Sequence, residues 1–139
     1  MGALAGIRWI DLPTAKDPRG LLTSVEGGQD LPFEIRRIFY MHQIVADRGG
    51  HAHIDTDQVV IAISGQFRMT LADGEQTETH ELNSPVRGLY IPRLIFTNLL
   101  DFSPGAVGLV LCSTHYDRTR SLRSWDAYQA HRQQTSSRE

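Results

Sequence analysis

The feature that most constrains the fold of this chain is a series of short apolar runs with a period of two, separated by glycine, proline and aspartate. Residues 66–71 alternate polar and apolar side chains, which predicts a strand with one buried face. Residues 59–63 are apolar throughout, which predicts a strand buried on both faces. Such a strand has to pack against a second sheet or against another copy of the protein. The pattern therefore predicts an all-β sandwich or small barrel.

Nine segments carry a strand pattern. They are residues 7–11, 21–26, 35–42, 58–64, 66–72, 77–82, 88–91, 95–101 and 107–113. The pair Asp73-Gly74 is typical of two-residue hairpin turns, because both central positions of such a turn need positive φ. These strands leave little room for helix.

The C-terminal part of the chain differs from the rest. Residues 120–132 have apolar side chains at mixed spacings and no glycine or proline, which predicts one short helix. Residues 133–139 contain no apolar side chain, so we expect a disordered polar tail. With no internal repeat and no linker, residues 1–132 are predicted to form a single domain.

Composition excludes several functional classes. No window approaches the roughly 20 apolar residues of a membrane span, and the first residues lack the pattern of a secretion signal. We therefore expect a cytoplasmic protein that does not bind membranes. The net charge of -2 gives no overall positive field for nucleic acid. Cys112 is the only cysteine and lies in an apolar run, so we expect a buried thiol, with neither a disulfide nor a cysteine-based zinc site.

The positive charge of the chain is almost entirely arginine, because Lys16 is the only lysine. Several of the arginines lie within or beside apolar, strand-like runs. A guanidinium binds carboxylate and phosphate groups through two parallel hydrogen bonds. This distribution favours a compact anionic ligand over a polymer, although the alternative for any single arginine is an ordinary surface ion pair.

The most informative segment for function is Arg48-Gly49-Gly50-His51-Ala52-His53. Residues two apart on a strand point to the same face, so His51 and His53 would project side by side. Three interpretations stay open: a structural or surface pair, part of a metal site, and a metal-free acid–base pair. Imidazole suits the last role because its pKa of about 6.5 lets it take and give a proton near neutral pH.

The metal interpretation needs at least a third protein ligand. In metal-binding double-sheet barrels a third histidine follows the first hairpins, but residues 88–98 of this chain contain no histidine. Asp57 could supply a carboxylate, and His80 or His115 could reach the site through folding. The spacing supports none of the three, so the sequence favours metal-free chemistry.

Several sequence blocks occur in the order and spacing of a known family. They are Arg48-Gly49-Gly50-His51-Ala52-His53, Gln58-Val59-Val60, Ser64-Gly65, Leu71-Ala72-Asp73-Gly74, Ser84-Pro85, Gly88-Leu89-Tyr90-Ile91-Pro92, Asp101-Phe102-Ser103-Pro104-Gly105-Ala106 and Tyr116-Asp117. Together they resemble the WxcM-like branch of the cupin superfamily, from about Ile7 to Tyr128. The resemblance implies a cupin double-stranded β-helix, or jelly-roll barrel, that is usually a homodimer and acts without metal or cofactor.

This branch contains the sugar 3,4-ketoisomerases that act on dTDP-4-keto-6-deoxyglucose. The resemblance therefore implies an isomerase that binds a nucleotide-diphosphate sugar and moves its carbonyl from C4 to C3. The reaction passes through an enediol or enediolate and serves the biosynthesis of deoxyamino sugars, such as those of lipopolysaccharide O-antigen. The sequence determines neither the C4 configuration nor which histidine is the base.

The resemblance also implies roles for individual residues. His51 and His53 would be the catalytic pair. Arg48 would contact the diphosphate or an oxyanion, and Arg19 would lie beside the sugar. Tyr40 would bond a sugar oxygen, the alternative being a core tyrosine with its hydroxyl at the barrel edge.

One strand departs from the family pattern. Where relatives typically have an aromatic, a basic and an acidic residue, this chain has Phe96, Thr97 and Asn98. This strand is expected to face the barrel interior, so Thr97 would be a neutral substrate contact in place of a charged one. The glutamate usual after the histidine pair is shortened to Asp57. Two alternatives to the isomerase follow: a non-catalytic cupin that binds a nucleotide sugar, and a metal-dependent cupin enzyme.

Overall fold

A computed structural model describes residues 3–137 of the chain, and the side chains of residues 4–134. Its strands are β1 (Arg8–Asp11), β2 (Thr14–Asp17), β3 (Gly20–Thr23), β4 (Arg37–Met41), β5 (Arg48–His53), β6 (Gln58–Ser64), β7 (Phe67–Ala72), β8 (Thr77–Leu82), β9 (Arg87–Ile91), β10 (Phe96–Leu100), β11 (Val107–Cys112) and β12 (Ser121–Leu122). Short 3-10 helices span Ala3–Gly6 and Arg118–Arg120, and the α-helix α1 spans Trp125–Ser137.

Two five-stranded antiparallel sheets face each other around the core. One sheet has the strand order β1-β9-β6-β11-β4 and the other has β12-β5-β10-β7-β8. Val60 and Ala62 of β6 pack there with Phe67, Met69 and Leu71 of β7. Each of these side chains is at most 1% exposed, and burying a large one stabilises the fold by roughly 1.5–3 kcal/mol. The predicted all-β double-sheet barrel with a C-terminal helix is confirmed.

The other face of β6 is covered by an irregular segment of the same chain, residues 25–35. Val59 and Ile61 point to this face and pack in one apolar cluster with Leu31. The predicted burial on both faces is confirmed for residues 59–62, but Ile63 is 43% exposed. The covering layer is a loop and not another copy, so β6 provides no argument for a dimer.

Three strands lie outside the nine predicted segments, although the predicted placement of His51 beside His53 already assumed an extended backbone in β5. β2 is exposed at all four residues and pairs only with β3, as a separate hairpin. β12 has two residues, and β5 contains two glycines. Local sequence gives such segments little strand character, so tertiary contacts decide their conformation.

Helix α1 begins later than the predicted segment 120–132, because the residues before it form a 3-10 turn and β12. Ser124 accepts a hydrogen bond from the backbone N–H of Ala127 at 3.1 Å, which satisfies a free donor at the start of the helix. The helix includes residues 133–137, where a disordered tail was predicted to begin, and residues 138 and 139 lie outside the described part. No helix formed by the described residues has the length and apolar character needed to cross a bilayer.

Candidate active site

The two histidines lie on β5, whose backbone is shaped by the glycines before them. Gly49 and Gly50 have φ angles of 104° and 75°, which L residues rarely adopt. A Cβ at Gly49 would lie 2.8 Å from the carbonyl oxygen of Thr97, so glycine allows β5 to approach β10 closely. The register between these strands shifts beside Thr97, which pairs with His51. The glycines thus determine where the histidine side chains emerge.

The imidazoles of His51 and His53 lie side by side, as predicted. Their ring centroids are 5.2 Å apart and their planes meet at 78°. His51 lines a cavity of about 80 Å³ between the two sheets. His53 lines an outer cleft of about 320 Å³, and Gln58 lines both spaces. The pair therefore stands where a small cavity between the sheets meets a larger outer cleft.

Burial lowers the pKa of both histidines. The pKa of His53 falls from 6.5 to about 4 because its ring is withdrawn from water and a positive charge there would be repelled by His51, with smaller effects from two arginines. Burial also lowers the pKa of His51, but a hydrogen bond to the backbone of Gly49 opposes this shift. Both pKa values lie below 6.5, so both rings are neutral at pH 7.

The inner cavity combines an apolar wall with a few polar groups. Its apolar lining comes from Phe39, Met41, Val60, Met69, Leu99 and Val110. Arg48, Gln58 and Thr97 supply polar groups beside His51. Arg48 and Thr97 therefore lie next to His51, and their roles as substrate contacts stay predictions. Such a lining suits a small ligand whose oxygen atoms are bound on one side and whose carbon atoms pack on the other.

Two of these polar side chains are buried and held by hydrogen bonds. Thr97 is 7% exposed, and its hydroxyl donates to the carbonyl oxygen of His51 at 3.3 Å. The Gln58 amide donates to the sulfur of Cys112 at 3.8 Å. Burial raises the pKa of the Cys112 thiol, which is consistent with the predicted buried, unreactive cysteine.

The outer cleft is lined by charges of both signs, from two arginines and two aspartates. The guanidinium carbon of Arg37 lies 4.7 Å from the ring centroids of both Phe39 and Tyr116, an arrangement that holds it in place through cation–π contacts. Arg123 donates to the Tyr116 hydroxyl at 3.3 Å. Within the described residues neither Arg37 nor Arg123 forms an ion pair, so both leave positive charge available for an anionic ligand.

Sequence reasoning did not identify Arg37, Gln58 or Arg123 as site residues. A signal existed for Arg37, because it alternates with Phe39 and Met41 along a predicted strand and so shares their face. For Gln58 the signal was its place at the start of an apolar strand, because a polar side chain among buried apolar residues often has a specific role. No local signal marks Arg123.

Two predicted substrate contacts lie away from the histidines in the single chain. Arg19 is at the tip of the β2–β3 hairpin, with its side chain 91% exposed and ion-paired to Asp17. Tyr40 is 64% exposed on the outer face of β4, opposite the face of Phe39, and its ring contacts His42. Tyr40 is thus not the core tyrosine of the alternative interpretation. The roles of Arg19 and Tyr40 as substrate contacts stay predictions.

The residues considered as further metal ligands have other partners or positions. The Asp57 carboxylate accepts hydrogen bonds from the backbone and guanidinium of Arg93. His80 pairs with Glu78 on β8, and His115 lines the outer cleft. Across residues 3–137, no group of three or more histidine, cysteine, aspartate or glutamate side chains is placed to hold a metal ion.

Comparison with known proteins gives one family match and one curated relative of high similarity. The family model described as WxcM-like, C-terminal (FdtA) matches residues 5–133. The chain is 35% identical over 114 residues to the TDP-4-oxo-6-deoxy-alpha-D-glucose-3,4-oxoisomerase of Aneurinibacillus thermoaerophilus. That alignment covers 81% of this chain and 82% of the relative.

Solved structures share the whole fold. QdtA, a sugar 3,4-ketoisomerase of Thermoanaerobacterium thermosaccharolyticum in complex with TDP, is 34% identical with a TM-score of 0.90, over 95% of this chain and 98% of that chain. A variant of QdtA in complex with TDP-4-keto-6-deoxyglucose gives a TM-score of 0.88 at 34% identity, over 92% and 94% of the two chains. WlaRB, a TDP-quinovose 3,4-ketoisomerase of Campylobacter jejuni, is 35% identical with a TM-score of 0.85, over 90% and 98%.

Proposed function

The chain belongs to the WxcM-like, C-terminal (FdtA) family, and we propose that it isomerises a TDP-linked 4-keto-6-deoxyhexose to the 3-keto sugar. One observation carries the proposal: two neutral imidazoles lie 5.2 Å apart, and one of them lines a small cavity between the sheets. Moving a carbonyl between adjacent carbons requires proton transfers at two carbons and two oxygens. Neutral imidazoles can perform these transfers because each can take up a proton and return it.

The proposed reaction starts with loss of the proton at C3. The electron pair of the C3–H bond forms a C3=C4 double bond, while the π pair of the C4 carbonyl moves onto its oxygen. That oxygen gains a proton, and the C3 hydroxyl loses one. The C3–O electrons then form the new carbonyl as the double-bond pair takes a proton at C4. The product has the carbonyl that an aminotransferase would need, so we propose a role in deoxyamino sugar biosynthesis.

We assign the carbon proton transfer to His51 and the oxygen proton transfer to His53. His51 lines the small cavity between the sheets, and its hydrogen bond to the Gly49 backbone stabilises the imidazolium formed when it removes a proton. The pKa of His53 is lowered to about 4, and its ring lines the larger outer cleft. A weakly basic imidazole that stays neutral can relay a proton between two neighbouring oxygens without holding it.

The arginines are proposed to bind the negative charge of the substrate. Arg48 lies at the inner cavity, close enough to His51 to lower its pKa by charge repulsion, and would contact the sugar or the enediolate. Arg37 and Arg123, beside His53, would bind the diphosphate. Thr97 would contact the sugar through its hydroxyl oxygen.

In the single chain Arg19 and Tyr40 are exposed and line neither the inner cavity nor the outer cleft, so they would act as substrate contacts from a second copy of the chain. We therefore retain the homodimer as part of the proposal, with the exposed β2–β3 hairpin of one copy approaching the site of the other. Leu21 and Leu22 on this hairpin are 62% and 68% exposed, which leaves apolar surface for such a contact. Sedimentation velocity of the wild-type chain and of a Leu22→Ser variant would measure the assembly.

The test of the activity is incubation with TDP-4-keto-6-deoxyglucose in deuterated water, followed by NMR. We expect 3-keto resonances to appear and deuterium to enter the ring at C3 or C4. The absence of both exchange and product with every TDP-linked 4-keto sugar would reject the proposal.

A second candidate is a cupin that binds a nucleotide sugar without converting it. The neutral Thr97 and Asn98, at positions where the family typically has charge, favour this alternative. It predicts calorimetric binding of the substrate with no deuterium exchange. The metal-dependent alternative instead predicts activity that falls on chelation and returns with added metal. It also predicts bound metal in an elemental analysis of the purified protein.

A further inference from the structure

The two-residue strand β12 brings a hydroxyl to the second catalytic histidine. β12 pairs antiparallel with β5, and Ser121 lies opposite His53 in this register. The backbone N–H of Ile54 donates to the carbonyl oxygen of Arg120 at 3.0 Å, extending the pairing by one residue. Ser121 is thus placed by the backbone as well as by its own side chain.

Two further contacts hold this segment in place. Arg120 binds the Asp55 carboxylate with two nitrogen atoms, at 2.5 and 2.9 Å. Leu122 packs on the apolar cluster that contains Ala52 and Tyr128. Residues on both sides of Ser121 are therefore anchored to β5 or to α1, which limits how far its hydroxyl can move relative to His53.

The Ser121 hydroxyl oxygen lies 3.4 Å from Nδ1 of His53. Within the described part of the chain, the ring of His53 therefore has Ser121 as its hydrogen-bond partner. We propose that Ser121 is a positioning residue that holds His53 through Nδ1 and keeps Nε2 directed at the substrate oxygens. This inference rests on the proposed isomerase and on the oxygen relay assigned to His53.

A hydroxyl suits this task better than a carboxylate. A hydroxyl can donate to an unprotonated Nδ1 or accept from a protonated one, so it can follow His53 through both tautomers. A carboxylate would stabilise the imidazolium and raise its pKa, which would trap a relayed proton. The pKa of His53, lowered to about 4, fits a partner that adds no charge.

The kinetic test compares Ser121→Ala, Ser121→Thr and the control Ser124→Ala. Ser124 lies on the same segment, and its hydroxyl caps α1 without contacting either histidine. For Ser121→Ala we expect kcat to fall about tenfold with KM within twofold of wild type, because the lost hydrogen bond affects proton transfer and not binding. Ser121→Thr restores most of kcat, and Ser124→Ala lowers Tm without changing kcat.

Deuterium exchange identifies the affected step. Since His51 still removes the carbon proton in Ser121→Ala, the enediolate should return to substrate more often, and deuterium incorporated per turnover should rise. Wild-type kcat in Ser121→Ala, or a threonine variant as slow as the alanine variant, would overturn the inference.

A measurement independent of turnover separates this inference from the proposed function. The ¹⁵N resonances of the His53 ring report its tautomer, and we expect Ser121→Ala to shift the Nδ1 resonance while those of His51 change little. Unchanged His53 resonances would reject the role of Ser121 even in an active enzyme. Changed resonances in a protein without isomerase activity would support the contact and reject the activity.

Discussion

Asp57 and Arg93 form a partly buried ion pair that ties the start of β6 to the turn before β10. The Asp57 side chain is 16% exposed, and it accepts hydrogen bonds from the Arg93 backbone N–H at 2.9 Å and from two guanidinium nitrogens at 3.2 Å. The next residue, Leu94, donates to the carbonyl oxygen of His53 at 2.8 Å. The ion pair therefore anchors the turn that is hydrogen-bonded to the backbone of His53, a proposed catalytic residue.

Asp57→Asn is expected to destabilise the protein by about 1–2 kcal/mol, because it leaves the guanidinium and the turn amide less well bound. Chemical denaturation of Asp57→Asn, Arg93→Ala and the double variant would measure the coupling. Asp17→Asn is a matched control, since its arginine partner is 91% exposed, and it should leave the stability nearly unchanged. Equal effects of the two aspartate variants would contradict this interpretation.

His51→Asn and His53→Asn should each lower kcat by at least about 10²-fold, because each removes a proton carrier from the proposed reaction. Both should bind TDP within about threefold of wild type, since the phosphate contacts are assigned to arginines. NMR assays of turnover and calorimetry with TDP would measure the two effects. Wild-type turnover in both variants would mean that the pair is structural.

The pH dependence of kcat/KM should show an acid limb below pH 6.5. Both histidines must be neutral to accept protons, and burial lowers both pKa values from 6.5. Activity should therefore change little between pH 7 and 8 and fall at lower pH as either histidine becomes protonated. An acid limb at or above pH 6.5 would contradict the environment described for the pair.

The protein should also become less stable as the pH is lowered, because His53 is harder to protonate in the folded state. Its pKa is about 4 in the folded protein and 6.5 when unperturbed, so the unfolded chain binds more protons between these values. The free energy of unfolding should therefore decrease as pH drops from about 6.5 to 4. Because the ring is partly exposed, we expect an effect on the order of 1 kcal/mol. Thermal denaturation of wild type and His53→Asn should show a smaller decrease in the variant.

Features determined by local alternation could be predicted from the sequence. The two-sided burial of β6 and the alternation of β7 follow from adjacent residues, and so does the placement of His51 beside His53. The hairpin at Asp73 was predicted, and its strands end at Ala72 and begin at Thr77, as the predicted segments do. The Asp73 carboxylate accepts from the backbone N–H groups of Glu75 and Gln76 within the turn.

Features that depend on distant contacts could not be predicted in this way. Ser121 and His53 are 68 positions apart, and only the pairing of β12 with β5 brings them together. The family resemblance placed Tyr40 at the sugar, but in the single chain the alternation of β4 puts Phe39 at the cavity instead. Local pattern gives the two faces of a strand, and tertiary packing decides which of them lines the site.

Gly49 offers a test of how closely β5 must approach β10. In Gly49→Ala the new Cβ would lie 2.8 Å from the carbonyl oxygen of Thr97 and 2.9 Å from the Cα of Asn98, so two strands would have to separate. Gly74→Ala is the matched control, because its φ of 98° is similar to the 104° of Gly49 but nothing lies within 4 Å of the new Cβ.

In both variants an alanine has to adopt positive φ, which destabilises the fold by about 1–2 kcal/mol. Only in Gly49→Ala does the added Cβ also clash with neighbouring backbone atoms. We expect Gly74→Ala to keep wild-type kcat with a Tm lower by a few degrees. Gly49→Ala should lose a further 1–3 kcal/mol and at least tenfold in kcat, since separating β5 from β10 displaces His51 from the cavity. Equal Tm and kcat in the two variants would show that backbone conformation alone, and not the close approach of the strands, requires glycine at position 49.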